Sequence, residues 1–128
     1  MSLQGAPAIR LIIDCDRPGG PLQQHETRCD YLLFAQDSGQ ADWVAALELK
    51  GHALDASVVI GQLQAGARAA ERLLPSDLSV TFRPVVASKG GRKAERRAMR
   101  EGRVRFRGVS EPVRMVRCGA PLIDGFQN

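Results

Sequence analysis

Two apolar runs decide how this chain folds: Asp30-Tyr31-Leu32-Leu33-Phe34-Ala35 and Trp43-Val44-Ala45-Ala46-Leu47-Glu48-Leu49-Lys50. Between them stands Asp37-Ser38-Gly39-Gln40-Ala41-Asp42, polar and turn-forming. The pattern predicts a β-hairpin with a longer loop, and apolar runs this continuous predict strands buried on both faces. Upstream, Ala8-Ile9-Arg10-Leu11-Ile12-Ile13-Asp14 is a further β-type run, ended by the loop signal Arg17-Pro18-Gly19-Gly20-Pro21.

Downstream the period changes. Val59, Leu63, Ala67, Ala70 and Leu74 recur at helical spacing over 56–74. Asp55 is placed to cap the start of this helix, and Pro75-Ser76 stops it. Val80-Thr81-Phe82-Arg83-Pro84-Val85-Val86-Ala87 returns as a strand, with Pro84 favouring an edge or an irregularity. Residues 92–101 form a polar helix closed by Gly102. Arg103-Val104-Arg105-Phe106-Arg107 alternates as a half-exposed strand, and Glu111-Pro112-Val113-Arg114-Met115-Val116-Arg117 is expected as its partner. The expectation is an α/β fold, one domain over residues 1–128, with a mixed central sheet flanked by helices.

At 128 residues, 44% hydrophobic and 25% charged, the chain is of a size and balance that suits one globular domain and excludes disorder. No apolar stretch is long enough to span a membrane. The first residues lack the basic start and apolar run of a secretory signal. Three cysteines, Cys15, Cys29 and Cys118, are an odd count with no CxxC pair, which suits a reducing cytoplasm. Together with His25 they could supply a Cys₃His zinc set, but the spacings match no zinc knuckle. His25 and His52 accompany no recognisable nucleophile motif and read as loop residues.

The formal charge of +4 is unevenly distributed. Residues 1–64 hold four basic and eight acidic side chains, whereas residues 65–128 hold fourteen basic and six acidic. Between Lys89 and Arg117 eleven basic residues, nine of them arginine, meet only Glu95, Glu101 and Glu111. Such a density attracts polyanions, and arginine favours bidentate contact with phosphate. Lys89, Arg92, Lys93, Arg96, Arg97 and Arg100 are the expected phosphate contacts, with Arg103, Arg105 and Arg107 as a second strip. A solvated, Arg-rich helix and ribbon would read the same way. The Ser88-Lys89-Gly90-Gly91-Arg92-Lys93 segment resembles a phosphate-contacting loop but lacks the P-loop pattern. Six aromatic residues leave few rings for base stacking, which favours backbone contact.

Ionisable residues inside apolar runs need a partner, because burying an unpaired carboxylate costs several kcal/mol, roughly. On a strand, Glu48 and Lys50 point to one face, and Asp30 lies at the hairpin end away from the loop, opposite them. Two carboxylates and an ammonium therefore converge. Two carboxylates at a sheet end suit a hard cation, Mg²⁺ or Mn²⁺, and a lysine beside them can orient water or stabilise charge on a phosphoryl group. A self-neutralising buried Lys–carboxylate pair is the plainer alternative.

The segments Arg28-Cys29-Asp30-Tyr31-Leu32-Leu33-Phe34 and Val44-Ala45-Ala46-Leu47-Glu48-Leu49-Lys50-Gly51 resemble the PD-(D/E)xK nuclease superfamily, whose fold is restriction-endonuclease-like. The likeness extends through Val59-Ile60-Gly61-Gln62-Leu63 and Pro84-Val85-Val86-Ala87-Ser88, covering roughly residues 28–90. It implies Asp30 and Glu48 as metal ligands, Lys50 as the catalytic lysine and Gln62 as the helix glutamine of the same site. Gln64 points about 200° away around the helix and is the lesser candidate. Two departures stand out: Arg28-Cys29, with no proline, precedes Asp30, and no N-terminal helix that would supply another acidic residue is evident, which leaves Glu26 as the substitute. The resemblance implies a Mg²⁺-dependent nuclease acting on DNA in the cytoplasm, with self-association as a homodimer if both strands are to be cut in one encounter. The rival expectations are a non-catalytic nucleic-acid-binding module on the same scaffold and a protein-interaction module in which the charged triad is a neutral buried network.

Overall fold

The computed structural model describes residues 9–15, 29–36, 42–50, 55–90 and 92–117. His25, Glu26, His52, Cys118 and the hairpin loop 37–41 lie outside the described residues. The elements run β1 (Ile9–Asp14), β2 (Tyr31–Gln36), β3 (Asp42–Lys50), α1 (Ala56–Leu73), β4 (Val80–Ser88), α2 (Lys93–Glu101), β5 (Arg103–Phe106), β6 (Val109–Pro112) and β7 (Arg114–Arg117). This is a mixed α/β fold, as the alternation of β-type and helical runs implies.

The main sheet has the order β1-β2-β3-β4-β7. β1, β2 and β3 form an antiparallel meander, and β3, β4 and β7 are parallel. A parallel pair needs a crossover, and α1 supplies it between β3 and β4. The ends of β3, β4 and β7 thus fall in one row, with Lys50 opposite Ser88 and Ser88 opposite Arg117.

Strand alternation sorts the core into two sets. Leu32, Val44, Ala46, Phe82 and Val86 meet Val59, Leu63, Ala67 and Ala70 of α1 and Met99 of α2. Leu33, Ala35, Trp43, Ala45, Leu47, Val85, Ala87 and Val116 form the set on the opposite face. Burial on both faces explains why the two opening runs are almost wholly apolar. Both helices contribute to the first set, so among the described residues they cover one side of the sheet.

Glycine sets how closely α1 approaches. A Cβ added at Gly66 would stand 2.6 Å from Cys29 Sγ and 3.0 Å from Ala46 Cβ. Asp55 caps the start of α1: its Oδ1 accepts from Val58 N–H at 3.4 Å and from the Ser57 hydroxyl at 2.9 Å. These donors, Ser57 first, hold the carboxyl below its ordinary value of 3.8. The stabilisation from this cap is therefore present above that value and is lost as pH falls through the lowered one.

One expectation needs correction. Arg103–Phe106 pairs with Val109–Pro112 and not with the whole of 111–117. The turn between them is Arg107-Gly108, with φ of 52° and 78°, the double positive φ of a tight two-residue hairpin turn. After Pro112, Val113 N–H donates to Gly102 O at 3.3 Å, and the chain moves into the main sheet as β7. Gly102 closes α2 as expected, in extended backbone, φ −67° and ψ 151°. Its lack of a side chain makes room for Ile60, whose Cδ1 lies 2.4 Å from where a Cβ would be. Strand β4 is an interior strand, but β7 pairs only from Val85 onward, so Pro84 sits on a stretch paired on one side.

The β5–β6 ribbon docks through Phe106, whose ring stacks on Phe82 at 4.5 Å and 7°. Gln64 of α1 donates to Arg105 O and accepts from Arg105 N–H, both at 2.8 Å. Glu71 accepts from Arg107 N–H at 2.7 Å.

The close seam at Gly66 gives a direct test. Gly66→Ala is expected to cost about 1–3 kcal/mol through overpacking. Pairing it with Cys29→Ala should recover part of the loss in urea titrations, because the nearer of the two clashing atoms is then gone.

Candidate active site

The pairing of β2 with β3 ends at Tyr31 opposite Leu47, and Asp30 lies one residue beyond it, at the Glu48–Lys50 end of β3. Its backbone is fixed on both sides: Asp30 N–H donates to Leu47 O at 3.1 Å, and Asp30 O accepts from Cys15 N–H at 3.1 Å. Its side chain is fixed as well, because Oδ2 accepts from Leu49 N–H at 2.8 Å. The carboxylate is thereby tied to the residue between Glu48 and Lys50.

Parity places the rest. Ala46 belongs to the core set under α1, so Glu48 and Lys50, two and four residues on, face the same side. Leu49 faces the other and is 41% exposed. Glu48 is 1% exposed, whereas Asp30 and Lys50 are half-buried. Glu48 and Lys50 thus share the helix-bearing face, and Asp30 is held beside them at the same end of the sheet.

The height of Gln62 along the sheet follows from the helix register. Gly66 lies against Ala46, and α1 runs back across the sheet as a crossover helix. One turn towards its N-terminus moves about 6 Å, close to the roughly 6.6 Å between Ala46 and Glu48 along the strand. Gln62 therefore stands at the level of Glu48, on the stripe that faces the sheet. Its Oε1 is buried and accepts no hydrogen bond among the described residues. Gln64 is engaged elsewhere, on the backbone of Arg105.

Beneath the carboxylates lie two thiols. Cys15 and Cys29 are fully buried and not joined to each other, with their Sγ atoms 3.7 Å apart. The contact with Cys15, burial, and the negative charge of Glu48 and Asp30 push the Cys29 thiol far above its ordinary range. It is a protonated core group and not a nucleophile.

The donor set fits a hard divalent cation: two carboxylates and a buried amide oxygen with unused acceptor capacity. Among the described residues, no group of three or more His, Cys, Asp and Glu side chains could hold a metal ion. A cation here would therefore depend on the two acids, the amide, water and substrate oxygen.

The basic residues divide by environment. Arg92 pairs with Glu95 at 2.7 Å, Arg97 with Glu101 at 3.0 Å, and all four sit on or beside α2. Arg103 and Arg105 are exposed on β5, and Lys93 is exposed at the start of α2. The guanidinium of Arg107 is turned inward. It donates to Leu78 O and to Pro75 O and lies 5.3 Å from the Phe106 ring centroid. Lys89, Arg96 and Arg100 converge on an open pocket beyond Ser88, together with Arg117. Ser88 and Arg117 were not among the sequence-derived site residues. The alternation of 85–88 points Ser88 to the same side as Val86, but Arg117 could be placed only once 114–117 was seen to leave the ribbon.

No family model, curated protein or solved structure matches this chain. Among the described residues, no helix is long and apolar enough to cross a membrane.

The tie from Asp30 to Leu49 predicts different outcomes for two substitutions. Asp30→Ala leaves a strand N–H without its acceptor and should lower stability by about 1 kcal/mol. Asp30→Asn keeps a carbonyl acceptor and should cost less, as guanidinium titration of the two variants would show.

Proposed function

We propose that the chain is a Mg²⁺- or Mn²⁺-dependent nuclease that hydrolyses phosphodiester bonds of DNA. The observation that carries this reading is the gathering of Asp30, Glu48 and Lys50 at one sheet end, with Asp30 Oδ2 tied to the N–H of Leu49 between the other two. The meander–helix–parallel-strand order around them is also what the resemblance to the PD-(D/E)xK superfamily implies.

In this reading Asp30 and Glu48 hold the cation through carboxylate oxygens, and Gln62 adds its amide oxygen to the same corner. A bound divalent cation supplies polarisation of the phosphoryl oxygen and a lower pKa for an attacking water. Lys50 brings positive charge to the side of the sheet where the phosphate sits. It orients the water or stabilises the charge that grows on the non-bridging oxygens. Lys89, Arg92, Lys93, Arg96, Arg97 and Arg100 hold the strand by its phosphates, with Arg103 and Arg105 as the outer strip. Two buried cysteines that lie side by side without being joined suit a reducing compartment, so the cytoplasm is the proposed setting, and a second copy would be needed to cut both strands at once.

The near-complete burial of Glu48 favours a second reading, a nucleic-acid-binding module in which the triad only stabilises the fold. Plasmid cleavage in Mg²⁺ separates the two. The nuclease reading expects Lys50→Ala and Glu48→Gln to lose at least about 100-fold in rate, with salt-dependent DNA binding kept by Lys50→Ala. Cleavage by Lys50→Ala equal to wild type, or none by wild type on linear, supercoiled, branched and single-stranded DNA, would reject it.

A further inference from the structure

The carboxyl ends of β3, β4 and β7 form a single row, and beyond Ser88 this end opens into a pocket of about 520 Å³. Ser88, Lys89, Arg96, Arg100 and Arg117 line it, with Met115 as an apolar wall. Four of these side chains are cationic, and no carboxylate is among the described lining residues. A crevice outside the carboxyl ends of parallel strands is where such sheets accept ligands.

Three features make this a built pocket. Arg96 and Arg100 are four apart on α2 and so project from one side of the helix. Their neighbours Arg92 and Arg97 are paired with glutamates, whereas Arg96 and Arg100 make no ion pair among the described residues. Register gives Arg117 and Ser88 the same face as Lys50. At the rim, the Ser88 hydroxyl donates to Gly90 O at 2.6 Å and accepts from Gly90 N–H at 3.1 Å, which fixes the turn carrying Lys89.

Charge selects the ligand. A phosphodiester within a strand carries one negative charge, which a single arginine satisfies. A terminal phosphomonoester carries about −1.5 to −2 at neutral pH and offers three strong acceptor oxygens. Four cations facing one concavity match the second, and arginine forks bind such oxygens in pairs. Strands lie about 4.8 Å apart, so the pocket begins one strand spacing from Lys50.

We propose that this pocket binds the terminal phosphate of a nucleic-acid strand, which makes the preferred substrate one with a phosphorylated end beside the candidate active site. The consequence for cleavage rests on the nuclease reading, whereas the binding does not. The test is fluorescence anisotropy in EDTA at about 0.1 M salt, where long-range attraction is largely screened. The probes are one oligonucleotide, single-stranded and in duplex, carrying a 5′-phosphate, a 3′-phosphate or only hydroxyl ends.

Wild type is expected to bind one of the phosphorylated forms about tenfold more tightly than the hydroxyl form. The exposed pair Arg96→Ala/Arg100→Ala should abolish that ratio with thermal unfolding unchanged. Arg103→Ala/Arg105→Ala removes equal charge from the β5 strip, and it should weaken all probes alike and keep the ratio. Equal affinity of wild type for phosphorylated and hydroxyl ends would overturn the proposal, as would a ratio that survives Arg96→Ala/Arg100→Ala. A clear end preference in a protein that cuts nothing in Mg²⁺ would support the pocket and reject the nuclease reading.

Discussion

One constraint governs this molecule: side chains on β3 must alternate between two buried faces. Trp43, Ala45 and Leu47 belong to one core set, Val44 and Ala46 to the other, and no residue can change sides without moving all of them. That fixed parity carries Glu48 and Lys50 to the helix side of the sheet. The same parity acts in β4, where Val86 fixes Ser88. The candidate chemistry is therefore a by-product of apolar packing that begins several residues earlier. Small residues make the packing tight enough to matter. Ala46 and Gly66 let α1 settle close to the sheet, and this brings Gln62 to the level of Glu48.

Much of this was legible in the sequence, for identifiable reasons. β2 and β3 were visible because both faces are buried, which demands apolar residues at nearly every position. α1 was visible because Val59, Leu63, Ala67 and Ala70 keep one stripe and Asp55 marks its start. The convergence of Asp30 with Glu48 and Lys50 needed only strand parity and a hairpin. What escaped was the pairing of the last strands. Alternating Arg and apolar residues say that a segment is a half-exposed strand, but they do not say which strand it joins. Arg107-Gly108 is a sufficient turn when both residues take positive φ, and arginine gives little hint of that. Gly102 terminates α2 as its sequence position suggests, but its closeness to Ile60 on another element is a contact that no local pattern encodes.

The arginines show why counting charge differs from locating it. Eleven basic side chains crowd into 89–117, but the fold assigns them unlike tasks. Arg107 holds the carbonyls of Leu78 and Pro75 and lies over Phe106, a structural post. Arg92 and Arg97 answer glutamates on their own helix, where an exposed pair contributes a few tenths of a kcal/mol, roughly. Arg96, Arg100 and Arg117 instead share a concavity with Lys89. Electrostatic potential at that point exceeds what net charge alone suggests, because like charges are held together around a shallow wall of protein.

The amide of Gln64 occupies the backbone groups of Arg105, and Glu71 takes the next outward N–H, at Arg107. Helix α1 thereby plays the part of a missing neighbour along the outer margin of β5. A two-stranded ribbon with an open margin is a template for sticking to other chains. Here that margin is stoppered by side chains, so the ribbon can present its arginines to solvent without recruiting further strands into an aggregate.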